Sequence, residues 1–314
     1  MTPVDSLRFP VAGFRNLSCH MRIFIDRKPA TVNATKDARR GEESSAMQNT
    51  KKPLILLTND DGVHAPGLRT LFAGLQQIGE PVIVAPDRDN SAVSHSLSLH
   101  RPLTVKELEP NIFSINGTPA DCVTIGIEKV LPARPALIVS GINAGANLGH
   151  DISYSGTVSA AKEGTIRGVP SMALSIAGQP PYHFDTGVEC ARLLAQLILT
   201  GGLPGDCYLN INIPNLAAAQ ISGLKITRQG RRVYENALQE LSDPWGRPCF
   251  WIGGGKPSRE KECGTDSFEM ERNFISITPI HLDLTNYEAL DSLQQSWGGR
   301  LGDHRFSGAP PGRD

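Results

Sequence analysis

The stretch "LLTNDDGVHAPG", residues 56–67, is the starting point for predicting both the fold and the site. A short apolar run ends in polar residues, and two adjacent acids, Asp60 and Asp61, are followed by Gly62. An uninterrupted apolar run of this length predicts a strand that is covered on both faces. The acids therefore fall at the carboxyl end of a buried strand. There they are either ordinary turn residues, which is the simpler interpretation of these four residues alone, or part of a binding site.

Short apolar runs alternate with amphipathic segments along the chain, and this pattern predicts an α/β fold. Strands are predicted at 54–58, 81–86, 136–141, 170–176 and 208–214, and helices at 65–79, 120–131, 157–168 and 185–200. Strands separated by helices of this length indicate βαβ units and a mainly parallel sheet flanked by helices. Beyond about residue 215 the pattern predicts exposed strands or a hairpin, and then a strand and a loop at 274–287.

The two ends of the chain differ from this core in composition. Residues 30–52 are polar and charged, so we expect residues 1–50 to form a loosely ordered extension. Met47 lies just before the first strand and is a candidate for the true start. We expect one domain over 51–298, followed by a disordered Gly/Pro-rich tail at 299–314.

Composition excludes some classes of partner. The 31 basic and 32 acidic residues give a formal net charge of −1, so no global field would attract DNA or a membrane surface. No run of 18 apolar residues and no continuous hydrophobic signal region is present, so we expect neither a transmembrane helix nor a secretory signal. The six scattered cysteines contain no C-x-x-C pair, which indicates a reducing, cytoplasmic location.

Polar residues also follow the next predicted strands. The segments are "DRDNSAVSHSLSL" (87–99) and "INAGANLGHDISYSGTVSAAKEG" (142–164). In an open parallel sheet the carboxyl ends of the strands converge on one edge, where ligands bind. Two carboxylates with serine and asparagine oxygens are the hard ligands that Mg²⁺ or Mn²⁺ prefers. A divalent cation would also relieve the repulsion between adjacent acids.

A second candidate site lies where a helix begins. Ser155, Gly156 and Thr157 precede the predicted helix at 157–168. The unpaired N–H groups of a helix start favour an anion such as phosphate, although an ordinary N-cap is the simpler explanation. A metal pocket beside an anion pocket indicates chemistry on phosphate esters.

With these motifs in place, the sequence resembles the SurE family, the stationary-phase survival proteins that act as metal-dependent nucleotidases. The matching blocks span about residues 53–290 in the family's order. They are "LLTNDDGVHAPGLRTL", "VIVAPDRDNSAVSHSLSL", "NGTPADCV", "SGINAGANLGHDISYSGTVSAAKEG" and "ISITPIHLDLTNY".

The resemblance implies a Rossmann-like core with a smaller C-terminal β element used in homodimer or homotetramer assembly. It implies a 5′-nucleotidase that hydrolyses nucleoside monophosphates to nucleoside and phosphate, with 3′ substrates left open. One divalent cation per subunit, Mg²⁺ or Mn²⁺, would be held by Asp60, Asp61, Ser91 and Asn143. Two departures from the family's pattern are Ala92, where glycine is common, and His95, where asparagine is common.

Roles for individual residues follow as hypotheses. Asp60 and Asp61 are the catalytic candidates: Asp61 is favoured as proton acceptor, and a covalent phosphate on Asp60 is the alternative. The candidates for contacts with phosphate or substrate are Asn116, Asn147, Ser155, Gly156 and Thr157. His64 and His95 are more often structural than acid catalysts at such positions. Lys162 and Glu163 are expected on a solvated helix face or at an interface.

Four other functions compete with this hypothesis. A receiver-like module needs an aspartate after its third strand, where this chain has "INAG". A haloacid-dehalogenase-type phosphatase needs Asp-x-Asp, and a dinucleotide-dependent oxidoreductase needs G-x-G-x-x-G; neither pattern is present here. A nucleotide-binding regulator without catalysis is the remaining alternative, and the retained ligand set argues against it.

Overall fold

A computed structural model gives the fold of most of the chain. The residues it describes are 52–232, 234–235, 238–253, 256–257 and 262–304. The expected N-terminal extension, the candidate start at Met47 and the last ten residues lie outside this set, so those expectations stay predictions.

A nine-stranded sheet forms the centre of the molecule, in the order β3-β4-β2-β1-β5-β6-β7-β13-β8. Its strands are β1 Leu54–Thr58, β2 Glu80–Pro86, β3 Val105–Glu109, β4 Ile112–Ile115, β5 Leu137–Ala144, β6 Ser171–Ala177, β7 Cys207–Pro214, β8 Gly223–Ile226 and β13 Phe274–His281. All neighbours pair in parallel except β3 with β4 and β7 with β13. The mainly parallel sheet predicted from the sequence is confirmed.

Helices cover both faces of this sheet. They are α1 Pro66–Leu75, α2 Pro119–Ile125, α3 Gly156–Ile166, α4 Phe184–Gly201, α5 Asp266–Glu271 and α6 Tyr287–Asp303. Helices α1 and α4 pack together, as do α2 and α3. In β1, Ile55 and Leu57 belong to one buried core cluster and Leu56 to the other. This alternation explains why the first strand is a continuous apolar run.

Strand β1 lies at the point where the strand order reverses. From β1 the chain extends the sheet through β2 and β4 on one side, and later through β5, β6 and β7 on the other. In open α/β sheets the crevice beyond the carboxyl ends of the strands at such a point is the usual ligand site. Asp60 and Asp61 follow β1 at this position.

Several elements were not predicted from the sequence. Strands β3 and β4 and helices α5 and α6 have no counterpart in the prediction. Strand β13 lies between β7 and β8 in the main sheet. The segment beyond residue 215 therefore extends the main sheet, and it also forms two separate two-stranded sheets. Helix α6 continues to Asp303, five residues into the segment expected to be a tail.

A separate hairpin projects apolar side chains into solvent. Its strands, β10 Leu238–Ser242 and β11 Pro248–Ile252, pair with each other, and among the described residues they form a sheet separate from the main one. Trp251 and Ile252 are 67% and 85% exposed. A short pair, β9 Tyr234–Glu235 with β12 Lys256–Pro257, adjoins it in sequence. In the described part of the chain no helix is long and apolar enough to cross a membrane.

Strand β5 contains an irregularity that moves Asn143 to the sheet edge. Its register with β6 shifts between Ser140 and Asn143, which is a bulge. Gly141 lies in the bulge with a φ of +136°, and a Cβ there would approach the carbonyl oxygen of Leu174 to 2.4 Å. Only glycine fits, because any side chain at this φ would be strained and would overlap the backbone of β6.

Replacing Gly141 by alanine therefore tests whether the bulge requires glycine. We expect Gly141→Ala to lower the free energy of unfolding by at least about 2 kcal/mol, measured by chemical denaturation. The matched control is Gly145→Ala, where the nearest atom to a new Cβ lies 3.6 Å away. Equal losses in the two variants would contradict this account of the bulge.

Candidate metal and phosphate site

The turn after β1 presents the two adjacent acids. The Asn59 amide donates to the carbonyl oxygen of Gly62 (3.0 Å), which closes the turn. Gly62 has a φ of +97°, and a Cβ there would lie 3.1 Å from the carbonyl carbon of Arg88. "NDDG" is therefore a tight turn that also packs against the loop following β2.

Asp60 is buried beneath the start of α3. Its side chain is only 5% exposed, and its Oδ1 accepts a hydrogen bond from the Thr157 hydroxyl. A Cβ on Gly156 would come within 2.8 Å of the Asp60 Cβ, so the helix start needs glycine to approach this closely. Burial raises the pKa of the Asp60 carboxyl, although the hydrogen bond from Thr157 partly opposes the rise.

Asp61 is half-buried beside Asp60. Burial, and then the negative charge of Asp60, raise the pKa of Asp61 to about 6, while a hydrogen bond from the Ala144 backbone opposes the rise. The charge of Asp89 adds to the same effect on both acids. The ionised pair is therefore unfavourable in the protein alone and would be stabilised by a cation.

Ser91, in the loop after β2, and Asn143, near the end of β5, reach the same place. The Ser91 hydroxyl donates to Asp89 Oδ1 (2.6 Å), which leaves its oxygen lone pairs for a cation. The Asn143 amide nitrogen donates to the Gly145 carbonyl (2.9 Å), which leaves Oδ1 as an acceptor. A hydrogen bond from Asn90 N–H to the Asp60 carbonyl (2.8 Å) joins the loops after β1 and β2.

These side chains line one cavity of about 300 Å³, referred to here as the acid pocket. Its lining residues are Asp60, Asp61, Ser91, Ala92, Asn143, Ala144, Asn147, Asp151, Tyr154 and Ser155. Among the described residues no group of three or more His, Cys, Asp or Glu side chains is arranged to hold a metal. The oxygen donors of the acid pocket, two carboxylates with a hydroxyl and an amide, match the ligand preferences of Mg²⁺ and Mn²⁺.

Comparison with known proteins relates the chain to one family. The model of the family "Survival protein SurE" matches residues 55–236. The chain is 48% identical to the 5′-nucleotidase SurE of Syntrophotalea carbinolica over 77% of this chain and 96% of that protein. It is 47% identical to the 5′-nucleotidase SurE of Geobacter metallireducens over 76% and 96%. The crystal structure of the SurE protein from Aquifex aeolicus superposes with a TM-score of 0.72 at 43% identity, covering 77% of this chain and 99% of that one.

The chain belongs to the SurE family. The predicted recognition is therefore confirmed, and the alternative of a receiver-like module is not favoured.

The phosphate candidates are divided between different environments in this SurE chain. Ser155 lines the acid pocket and caps α3, with its Oγ accepting from Val158 N–H (3.1 Å). Asn147 also lines the acid pocket, but its amide nitrogen already donates to Ser175 Oγ (2.7 Å). Gly156 and Thr157 are buried against Asp60 and do not line the pocket.

Asn116 is not brought to the acid pocket. Its Oδ1 accepts from Thr104 N–H (2.7 Å), and it lines a different cavity of about 330 Å³ together with His64 and Arg88. The role predicted for Asn116 beside the nucleoside has no support in this geometry.

Glu163 is buried, which corrects the expectation that it lies on a solvated face or at an interface. It accepts hydrogen bonds from Arg167 Nε (2.7 Å) and Thr124 Oγ1 (3.1 Å), and its Oε2 lies 3.0 Å from His95 Nε2. Burial alone would raise the pKa of Glu163, but these partners outweigh it and hold the pKa below its usual value. His95 therefore fastens the loop that carries Ser91 to α3 and does not line the acid pocket.

Sequence reasoning missed three polar residues that belong to the site. Asp89 holds Ser91, while Asp151 and Tyr154 line the acid pocket. The residues "HDISY" (150–154) follow β5 and are mostly polar, as is typical of a loop at a strand end. This polarity was the one indication in the sequence that they could belong to a site. The sequence did not predict that the 3₁₀ turn at Gly149–Ser153 places Asp151 on the lining of the acid pocket.

The raised pKa of Asp61 predicts how the metal-free protein responds to pH. The pKa of Asp61 is about 6 in the folded protein and higher than in the unfolded chain. Between about pH 4 and 6 the folded protein therefore binds more protons than the unfolded chain does. This contribution to stability is present at low pH and is lost as the pH rises through 6. In chelator at pH 7.5, Asp61→Asn should be more stable than the parent by about 1–3 kcal/mol.

Thermal unfolding across pH 5–8, with and without Mn²⁺, measures this difference. The gap between variant and parent should shrink towards pH 5, and Mn²⁺ should stabilise the parent alone. Asp291→Asn, on the exposed surface of α6, is the control. If Asp61→Asn were less stable than the metal-free parent at pH 7.5, the ionised pair of Asp60 and Asp61 would not be destabilising the fold.

Proposed function

We propose that the chain is a divalent-metal-dependent 5′-nucleotidase that hydrolyses nucleoside monophosphates to nucleoside and phosphate. The observation that carries the proposal is the acid pocket, where a buried and a half-buried carboxylate converge with Ser91 and Asn143. The 5′-nucleotidase names of relatives that match over nearly their whole length support the same reaction. The substrate panel below includes 3′-nucleotides, because the resemblance to the family leaves that activity open.

The ligand set we propose is Asp60, Asp61, Ser91 and Asn143, with one Mg²⁺ or Mn²⁺ per subunit. The free lone pairs of Ser91 Oγ and Asn143 Oδ1, together with the raised pKa values of the acids, support this set. When bound, the cation supplies Lewis-acid stabilisation of charge on the phosphoryl oxygens.

The two acids take different roles in this proposal. Asp60 is buried and hydrogen-bonded to Thr157, so it is a poor nucleophile and serves as a fixed anionic ligand. Asp61 is half-buried and more accessible than Asp60, so we assign to it the acceptance of a proton from the attacking water. The covalent alternative at Asp60 is not favoured by this geometry.

Positioning of the phosphoryl group falls to neutral donors around the pocket. Ser155 at the start of α3 lies on its lining, and Asn147 is held rigidly because its carbonyl accepts from Asn210 (2.8 Å) and Asn212 (2.9 Å). The hydrogen bond from Thr157 and the close approach of Gly156 fix Asp60 relative to these donors. We also place the protein in the cytoplasm, since the described cysteines are free thiols.

The test of the function is phosphate release from a panel of 5′- and 3′-nucleoside monophosphates with Mg²⁺, Mn²⁺ or chelator. Asp60→Asn should remain folded and lose at least about 100-fold in kcat, since an amide is a poorer ligand for a hard cation. Asp185→Asn, on an exposed turn of α4, is the matched control.

Activity that persists in chelator would rule out the metal-assisted reaction. Near-parental turnover in Asp60→Asn would show that the acids only form a turn.

The projecting hairpin β10–β11 is proposed as a contact in a homodimer or homotetramer. Exposed apolar patches of this kind mark interaction surfaces. Light scattering after size exclusion should give a dimer or tetramer for the parent and a smaller species for Trp251→Glu. Gln196→Glu, on the exposed face of α4, should leave the mass unchanged. A monomeric parent, or a variant of unchanged mass, would contradict an assembly role for the hairpin.

A further inference from the structure

A second and larger cavity adjoins the acid pocket. It has a volume of about 860 Å³, and Ala144 lines both. The larger cavity also carries Tyr182, Asn215 and Arg232 on its wall. Its size falls in the range of small-molecule sites, which are lined by apolar and aromatic side chains with a few polar groups.

Arg232 is the one Lys, Arg or His side chain among the described residues at these cavities. The acid pocket, by contrast, is lined by three carboxylates, those of Asp60, Asp61 and Asp151. One divalent cation would leave this cluster negative, so a substrate with a doubly charged phosphate needs a further positive group close by.

The position of Arg232 is fixed at the junction of the two cavities. Its Nη1 donates to Asp151 Oδ2 (2.9 Å), and Tyr234 Oη donates to the same oxygen (2.5 Å). The guanidinium carbon lies 5.4 Å from the centroid of the Tyr234 ring, and the side chain is 19% exposed. Because Asp151 lines the acid pocket and Arg232 lines the larger cavity, the ion pair spans the boundary.

The close packing around this ion pair also restricts the arginine. A Cβ on Gly149 would lie 3.1 Å from the Arg232 Cβ. The turn at Gly149–Ser153 and the irregular segment that carries Arg232 are therefore in contact. A guanidinium has five N–H donors in a fixed fork, and one carboxylate oxygen engages only part of it. The rest of the fork suits two oxygens of a phosphate.

We propose that Arg232 is a substrate-binding residue that contacts the phosphoryl group, with Asp151 and Tyr234 as positioning residues. The nucleoside then extends from the phosphate into the larger cavity. The identity of the substrate in this proposal rests on the proposed function, whereas the phosphate contact itself can be tested without turnover.

The first measurement is calorimetric binding of inorganic phosphate to the Mn²⁺-loaded protein. Arg232→Gln should weaken phosphate binding about 10- to 100-fold, as expected for loss of a charge-assisted contact, and leave Mn²⁺ binding unchanged. Arg232→Lys keeps the positive charge, so it should lose less phosphate affinity than Arg232→Gln. It replaces Arg232→Gln in the experiment if that variant does not fold. Arg247→Gln, an exposed arginine paired with Asp243 in the hairpin, is the matched control.

The second measurement compares two substrates. With adenosine 5′-monophosphate and with p-nitrophenyl phosphate, which has no nucleoside, Arg232→Gln should lower kcat/KM by a similar factor. A loss confined to the nucleotide, or phosphate affinity within twofold of the parent, would overturn the phosphate contact. A parent that binds phosphate through Arg232 but hydrolyses no phosphomonoester would support the contact and refute the proposed function.

Discussion

The burial of one carboxylate of an adjacent pair is the constraint on which the rest of the site depends. Asp60 cannot move away from Asp61, because its Oδ1 is held by Thr157 and its Cβ packs against Gly156 at the start of α3. Burial raises the pKa of both carboxyls, and the charge of Asp60 raises the pKa of Asp61 further. The ionised pair therefore destabilises the metal-free fold. A site under such strain is best explained by a cation that offsets it.

The loops around the pair are fastened so that the proposed neutral ligands, Ser91 and Asn143, stay in place. Asn90 N–H donates to the Asp60 carbonyl, and the Ser94 hydroxyl donates to the carbonyl of Ser153 (2.7 Å). The contact of His95 with buried Glu163 adds a third tie, between the loop of Ser91 and α3. In this chain the 3.0 Å contact between His95 Nε2 and Glu163 Oε2 does the fastening. Ala92 adopts a φ of +58° in the same loop, where glycine would be relaxed.

Periodicity predicted the core well because burial leaves a local pattern. The continuous apolar run of β1 and the amphipathic α4 could be read directly from the chain. Strand β3 could not, since "VKELE" is exposed along its whole length, and neither could α6, whose residues are largely solvated. An edge strand or surface helix has little apolar patterning to reveal it.

The candidate site divides along the same line. Because parallel strand ends converge on one edge, the sequence predicted that polar residues of 87–99 and 142–164 lie near Asp60 and Asp61. The resemblance to the SurE family then implied Ser91 and Asn143 among them. The pairing of Arg232 with Asp151 could not be predicted, because the two residues are 81 positions apart in the sequence. The contact also depends on the 3₁₀ turn that carries Asp151. The unequal roles of the two acids were also out of reach, since Thr157 lies 97 positions from Asp60.

The central claim is that the acid pocket holds one divalent cation between the two acids. Anomalous diffraction from crystals soaked in Mn²⁺ tests it most directly. The account predicts one strong peak per subunit, within about 2.0–2.4 Å of oxygens from Asp60 and Asp61 and near Ser91 and Asn143. The absence of a peak between these side chains at saturating Mn²⁺, or a peak at a different cluster, would contradict it.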